Sequence, residues 1–213
     1  MKKVTSSRLL KFSAIVSLVV LPVSLILLSV KASDDTTLNQ TIEDGTLNVA
    51  IVDGDGLEVS TPAVGFSTAE FSFSSQETTG TLGTSTEMIR LDNPTSTATW
   101  SVAIAATDGG SAAWDSGTDT YPYNGATAAD GQLEVDPSSG TITPFGTCDV
   151  ADPSVGSATS FVSGTTSSIT LMSATEESDA YCRWDLTGVG MTQTIPAIQP
   201  VGSYSIAMTI TAS

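Results

Sequence analysis

A two-residue rhythm constrains this chain most. In "TWSVAIA", Trp100, Val102 and Ile104 fall on one side of an extended backbone. In "YSIAMTI", Tyr204, Ile206, Met208 and Ile210 face one way, and Ser205, Ala207, Thr209 and Thr211 face the other. Period-two alternation rich in β-branched and aromatic residues marks strands with one buried face. The same phase runs through "TLNVAIV" (Leu47, Val49, Ile51), "EFSF" (Phe71, Phe73) and "SITLM" (Ile169, Leu171), with "FVS" as a shorter echo. Turn signals separate these runs: "DGDG" at 53–56, "TTGTLGT" at 78–84, "DNP" at 92–94, "DGG" at 108–110, "ADG" at 129–131, "DPSSG" at 136–140, "DPSVG" at 152–156 and "TGVG" at 187–190. Beyond residue 32 no segment carries a 3.6-residue period. Low charge with abundant Ser and Thr also suits a linker, and the alternation decides for a folded chain. The expectation is all-β: one antiparallel β-sandwich of jelly-roll type over residues 42–213.

The N-terminus is of another kind. Lys2, Lys3, Arg8, Lys11 and Lys31 lie within the first 32 residues, and all 23 acids lie beyond them. A basic start, apolar Phe12–Val30 and then Val30-Lys31-Ala32 read as a signal peptide cut after Ala32. The apolar run is also long enough to span a bilayer, so an uncleaved N-terminal membrane anchor is the alternative. Either form places the rest of the chain outside the cytoplasm, secreted or at the cell surface, and touching a membrane only through residues 12–30 if uncleaved. Residues 33–41 read as a polar tether, in which Asn39-Gln40-Thr41 fits the glycosylation triplet.

Arg90 and Arg183 are the only cations after the leader. A chain so acidic excludes a nucleic-acid partner, because neutralising phosphates takes many Lys and Arg. It leaves a self-repelling soluble surface, or clustered carboxylates for a divalent cation. No histidine is present, which removes Ser-His-Asp and Cys-His catalysis and His-ligated zinc. Two cysteines in an exported chain most simply form one disulfide, Cys148–Cys182.

One of the two arginines beyond the leader, one of the two cysteines and one of the three tryptophans sit together in "YCRWDL". Cys182, Trp184 and Leu186 share parity and are expected to face the core, with Trp100 in the matching position of its own strand. Arg183 and Asp185 then point the other way, where Arg183 is expected to pair with surface carboxylates. Residues 107–130 show no alternation and read as one long loop, a setting that tends to be functional. Asp108, Asp115, Asp119, Asn124 and Asp130 make it a candidate calcium loop, ahead of Asp53 and Asp55 in "DGDG". Trp114, Tyr121 and Tyr123 in the same loop are candidate contacts to envelope glycan, or else they pack the loop onto the sandwich. Glu70, Glu77 and Glu87 are the carboxylates that a glycoside hydrolase would need, and no spacing singles out a pair.

Trp184-Asp185-Leu186 is a W-x-L tripeptide, and Trp100-Ser101-Val102 is a W-x-V version. With the opening "GTL" and "FSTAEFSF" and the closing "IPAIQPVGSYSIAMTITAS", they make residues 40–213 resemble the WxL-type surface proteins of bacterial cell walls. Two features depart from that pattern: Val102 stands where leucine is usual, and the closing strand carries Met208-Thr209-Ile210 in place of the tripeptide. The resemblance implies an exported, non-enzymatic β-sandwich held noncovalently at the envelope, with polysaccharide or other surface proteins as partners. A second resemblance is to camelysin-related secreted matrix-fibre proteins, which share a signal, a "GTL" strand and a jelly roll. It implies self-assembly, with the polar segment 33–45 as a strand donor. The protease activity attributed to some of those relatives does not carry over, because H-E-x-x-H is absent.

Overall fold

The computed structural model describes residues 38–148, 152–175 and 179–213. The expected leader at 1–32, and the expected tether except for 38–41, lie outside the described residues. Residues Glu43–Ser213 form one compact unit. Its strands are β1 (Asn48–Val52), β2 (Gln76–Leu82), β3 (Met88–Asn93), β4 (Trp100–Ala106), β5 (Ala113–Asp115), β6 (Thr120–Pro122), β7 (Leu133–Asp136), β8 (Thr141–Pro144), β9 (Ser154–Val155), β10 (Thr159–Ser160), β11 (Ser168–Ala174), β12 (Cys182–Thr187), β13 (Val189–Ile195) and β14 (Met208–Ala212). They pair antiparallel in the orders β1-β3-β12-β8, β10-β7-β13-β2 and β14-β4-β11-β9, with β5-β6 as a separate hairpin. The protein is an all-β sandwich.

β4 shows why. Every second residue from Trp100 to Ala106 is buried, and the residues between are half-exposed. On β11 the same rhythm breaks. A bulge between Thr170 and Met172 lets Leu171 and Met172 both face inward, each 0% exposed. An extra residue in one strand of a ladder shifts its facing pattern.

Trp100 on β4 and Trp184 on β12 belong to different sheets, and their rings meet in the core at 5.1 Å between centroids. Leu186 lies beside them in the same buried cluster. Cys148 and Cys182 are joined, with Cα atoms 5.8 Å apart. Closing a loop of 34 residues in sequence restrains the unfolded chain by about 4 kcal/mol in the chain-entropy model.

The outward residues of "CRWDL" are accounted for too. β3 reads Arg90-Leu91-Asp92 and β12 reads Arg183-Trp184-Asp185, and the antiparallel register sets Arg183 opposite Asp92 and Asp185 opposite Arg90. Two ion pairs result. Arg90 holds Asp185 through Nε–Oδ1 at 2.7 Å and Nη2–Oδ2 at 2.8 Å. The carboxylate beside it raises the Arg90 pKa further. Arg183 pairs with Asp92 and lies 5.2 Å from the centre of the Phe145 ring. The first pair is the more buried, with side chains 11% and 15% exposed against 39% and 32%. Both cations beyond the leader are thus committed to this ladder. Gly56 in the "DGDG" turn covers Arg90. Its φ is +81°, and a Cβ there would come within 2.6 Å of Nη1, so glycine is favoured there and any side chain would push Arg90 aside.

Three expectations need correction. "EFSF" is no strand: Phe71 and Phe73 are 49% and 80% exposed and lean edge-to-face on each other, because no neighbouring sheet covers them. "TTGTLGT" is largely strand, since Thr78–Leu82 belong to β2 and pair with β13. The expected long loop 107–130 contains the β5–β6 hairpin and two single-turn 3-10 helices, Gly109–Ser111 and Ala128–Asp130.

Candidate functional site

The residues singled out in 107–130 are not presented to solvent together. Trp114, Tyr121 and Tyr123 are 8%, 6% and 1% exposed. Tyr121 and Tyr123 therefore follow the other expectation, packing the segment onto the sandwich, and of the three only Trp114 also lines the cavity described below. Trp114 stacks on Tyr121, with centroids 6.0 Å apart, and takes the edge of Phe66 at 5.3 Å. Its Nε1 donates to Gln193 Oε1 at 2.7 Å, and Gln193 Nε2 donates to the Thr194 carbonyl at 2.7 Å. Gln193, 1% exposed, therefore has both ends of its amide satisfied and fixes the indole. Tyr121 meets Tyr204 at 5.1 Å, and burial, with Tyr204 adding to it, pushes its phenol up to about 12. Tyr123 packs on Phe161, and its hydroxyl, also raised by burial, donates to the Gly109 carbonyl.

The oxygens proposed for calcium are spent locally and apart. Asp115 accepts from the Gly117 amide, and Asp119 from the Thr118 hydroxyl. Asp130 accepts from the Thr127 hydroxyl and amide. Buried Asn124 donates to the Gly110 carbonyl, and exposed Asp108 precedes the first 3-10 turn. Asp53 likewise closes its own turn by accepting from the amides of Asp55 and Leu57. Among the described residues no three acidic or thiol side chains come together in a set that could hold a metal ion. Since these carboxylates are used as turn and cap acceptors, millimolar calcium is expected to leave the melting temperature unmoved in differential scanning calorimetry. A rise of several degrees would contradict this assignment of the oxygens. Glu70 and Glu77 are exposed, and only Glu87 reaches the cavity described next.

What the fold does build is a groove along one side of the sandwich. It has a volume of about 580 Å³ and is partly open to solvent. One wall is β1 with the crossing segment 58–66, and the other is Tyr204–Ile206 with β14. Leu82, Ile104, Trp114, Leu133 and Met191 reach it from the core, while Glu58 and Glu87 stand among its polar residues. Both walls are the last strands of their sheets. Ser101 and Ser213 exchange both backbone bonds, at 2.8 and 3.0 Å. Bonded and unbonded pairs alternate along an antiparallel ladder, so Met208, Ile210 and Ala212 turn their N–H and C=O away from β4. On the opposite wall the Ile51 carbonyl accepts from Val59, at 2.9 Å, so Val49 and Ile51 face away from β3. Sequence reading placed Tyr204, Ile206, Met208 and Ile210 on one face. It missed the groove, whose one local signal is apolar alternation on strands at both ends of the folded unit.

A clamp fixes the chain where it enters β1. Asp44 accepts from the Ser96 amide at 3.0 Å, the Ser96 hydroxyl at 2.6 Å and the Tyr181 hydroxyl at 2.6 Å. The Gly45 amide donates to the Pro94 carbonyl at 2.8 Å, and the Tyr181 amide to Thr95 at 3.2 Å. Tyr181 sits at φ +57°, a conformation that is costly for a bulky side chain and that its contacts hold in place. Hydrogen bonds from Ser96 and then Tyr181 lower the Asp44 pKa, and the bond to Asp44 raises that of Tyr181. A lowered carboxylate pKa stabilises the fold above its ordinary value of 3.8, and that contribution is lost as pH falls through the folded value. The protection of the Ser96 and Tyr181 amides from hydrogen exchange, taken relative to the intrinsic rate at each pH, is therefore expected to fall on acidification below that range. In Asp44→Asn this protection should be low already near neutrality; an unchanged pH profile of protection in that variant would remove Asp44 from the clamp.

No family model, curated protein or solved structure matches the chain. No helix among the described residues is long and apolar enough to cross a membrane.

Proposed function

We propose that this chain is an exported, non-catalytic β-sandwich of the cell surface that works by binding, and that the lateral groove is its binding face. The groove carries the reading: an apolar floor lies between two strands that end their sheets, and on β14 the outward backbone groups of Met208 and Ile210 are in no ladder. Such a site suits an extended polypeptide, which offers both apolar side chains and hydrogen-bonding backbone. A lipid or a glycan offers one and lacks the other. Export is supported by the basic and apolar start of the sequence and by the disulfide. A non-catalytic role is supported by the chain's lack of histidine and by aromatic and acidic side chains spent on internal contacts. Of the three rings first singled out for glycan, Trp114 alone lines this face.

The test is retention of the purified protein on isolated cell envelopes, wild type against Met208→Glu, with melting curves to confirm that both are folded. A strong loss of retention in the variant is expected, together with slowed hydrogen exchange at Val49, Met208 and Ile210 in the bound wild type. Equal retention of two folded proteins would remove the groove as the binding face.

A further inference from the structure

Four of the large apolar side chains left in solvent are gathered on two neighbouring loops. Phe73 and Val201 are 80% and 81% exposed, Ile198 60% and Phe71 49%. The Ile198 amide donates to the Ser72 carbonyl at 2.8 Å, which ties loop 70–76 to loop 196–207. Both loops are braced. Gln76 Nε2 donates to the Glu70 carbonyl across the first, and the Ser74 amide to the Ser72 hydroxyl at 3.0 Å. In the second, the Tyr204 hydroxyl donates to the Pro200 carbonyl at 2.8 Å and accepts from Gln199 Nε2 at 2.9 Å. Ile198 stands at φ +62°, a left-handed conformation that is costly for a β-branched residue. Strain of that kind gathers at functional sites. Glycine would meet the same turn without it; the chain places there an exposed isoleucine.

These loops are also nearly free of charge. Residues 186–213 carry no charged side chain, and residues 59–76 carry only Glu70. Other exposed apolar side chains have a charge beside them: Leu57 adjoins Glu58, Phe145 lies against Arg183, and Tyr181 is bonded to Asp44. We infer that Phe71, Phe73, Ile198 and Val201 form a wedge that enters the surface of a lipid bilayer. It is a membrane contact of the fold itself, additional to the groove and to the contact that residues 12–30 would make if uncleaved. A stable protein interface takes about 800 Å² from each partner, more than four protruding side chains on two loops offer. A bilayer sets no such minimum, because binding there grows with whatever apolar area passes below the headgroups. Arg90 and Arg183, the cations beyond the leader, are both engaged by carboxylates, so neither is free to draw the chain to anionic lipid. Insertion is left as the attractive force, and the 23 acids make zwitterionic lipid the preferred surface.

The test uses residues 33–213, which keep the compact unit from Glu43 onward whole and lack the apolar start. Sedimentation with phosphatidylcholine vesicles is expected to carry wild type down. Phe73→Asp/Val201→Asp should bind at least ten-fold more weakly at an unchanged melting temperature, since both positions lie outside the core. Including phosphatidylglycerol in the vesicles should weaken wild-type binding, and added salt should recover it. Phe73→Trp should bind as well as wild type. Brominated phosphatidylcholine should quench its added fluorescence, while wild type, whose Trp100, Trp114 and Trp184 are buried, stays bright. Met208→Glu, in the groove, should bind vesicles as wild type does. If wild type stays in solution, or if Phe73→Asp/Val201→Asp sediments equally, the wedge is overturned. An equal loss in Met208→Glu would move lipid binding to the groove and overturn it too. Retention of wild type on delipidated envelopes but not on vesicles, lost in Phe73→Asp/Val201→Asp, would give the patch to a protein partner instead.

Discussion

Trp184→Ala is expected to destabilise the protein by about 3–5 kcal/mol, the range for truncating a large aromatic in a packed core. Trp184 is 0% exposed, stands opposite Leu91 across the β3–β12 ladder, and meets Trp100 of the other sheet at 5.1 Å. Its removal leaves a void between two sheets whose backbones are held by separate ladders, so collapse is limited. For a domain of this size that loss corresponds to a fall in melting temperature of roughly 10 °C or more. Trp100→Ala acts on the same contact, so the double variant should cost less than the sum of the two. Chemical denaturation of the four proteins of the cycle measures this. Full additivity would show that the two indoles do not work as a pair.

Arg90→Met is expected to cost about 1–3 kcal/mol, because it leaves the Asp185 carboxylate in a part-buried site with no cation. The bidentate contact and the low exposure of both side chains place this pair near the costly end of the range. Arg183→Met should cost about 1 kcal/mol or less, since its partner Asp92 is the more exposed and can be hydrated. Replacing Arg90 and Asp185 together by apolar residues should recover much of the loss. Urea melts of the single and double variants check this, and an equal cost for Arg90→Met and Arg183→Met would refute the ranking. Raising the salt concentration should weaken the Arg183 pair more than the Arg90 pair, because screening acts on exposed charges.

The chain's local rules were legible where one strand met one packed face. β4 buries every second side chain as its sequence reads, and "CRWDL" divides inward and outward by parity as expected. β2 was misread because Gly80 in "TTGTLGT" looks like a turn residue. In the fold it is a strand residue, where a Cβ would come within 2.8 Å of Val64 as the crossing segment passes over. Phe71 and Phe73 alternate like strand residues, yet alternation reports only which side a residue faces. Nothing in it says whether a second layer lies on that side. Tyr121 and Tyr123 failed as exposed glycan contacts for the same reason. A stretch with Trp114, Tyr121 and Tyr123 reads alike whether the rings face water or Phe66, Phe161 and Tyr204.

By itself, the sequence determined the all-β class, the antiparallel pairing style, the disulfide and the core role of both strand tryptophans. These follow from periodicity and from having two cysteines, and both are properties that a chain carries locally. Tertiary structure alone decided that Arg90 and Arg183 answer Asp185 and Asp92 in a reciprocal ladder, and that β1 and β14 end their sheets on either side of one groove. Which edges stay open depends on pairings between residues far apart in the chain. No local pattern records that a strand at each end of the folded unit has been left with one neighbour.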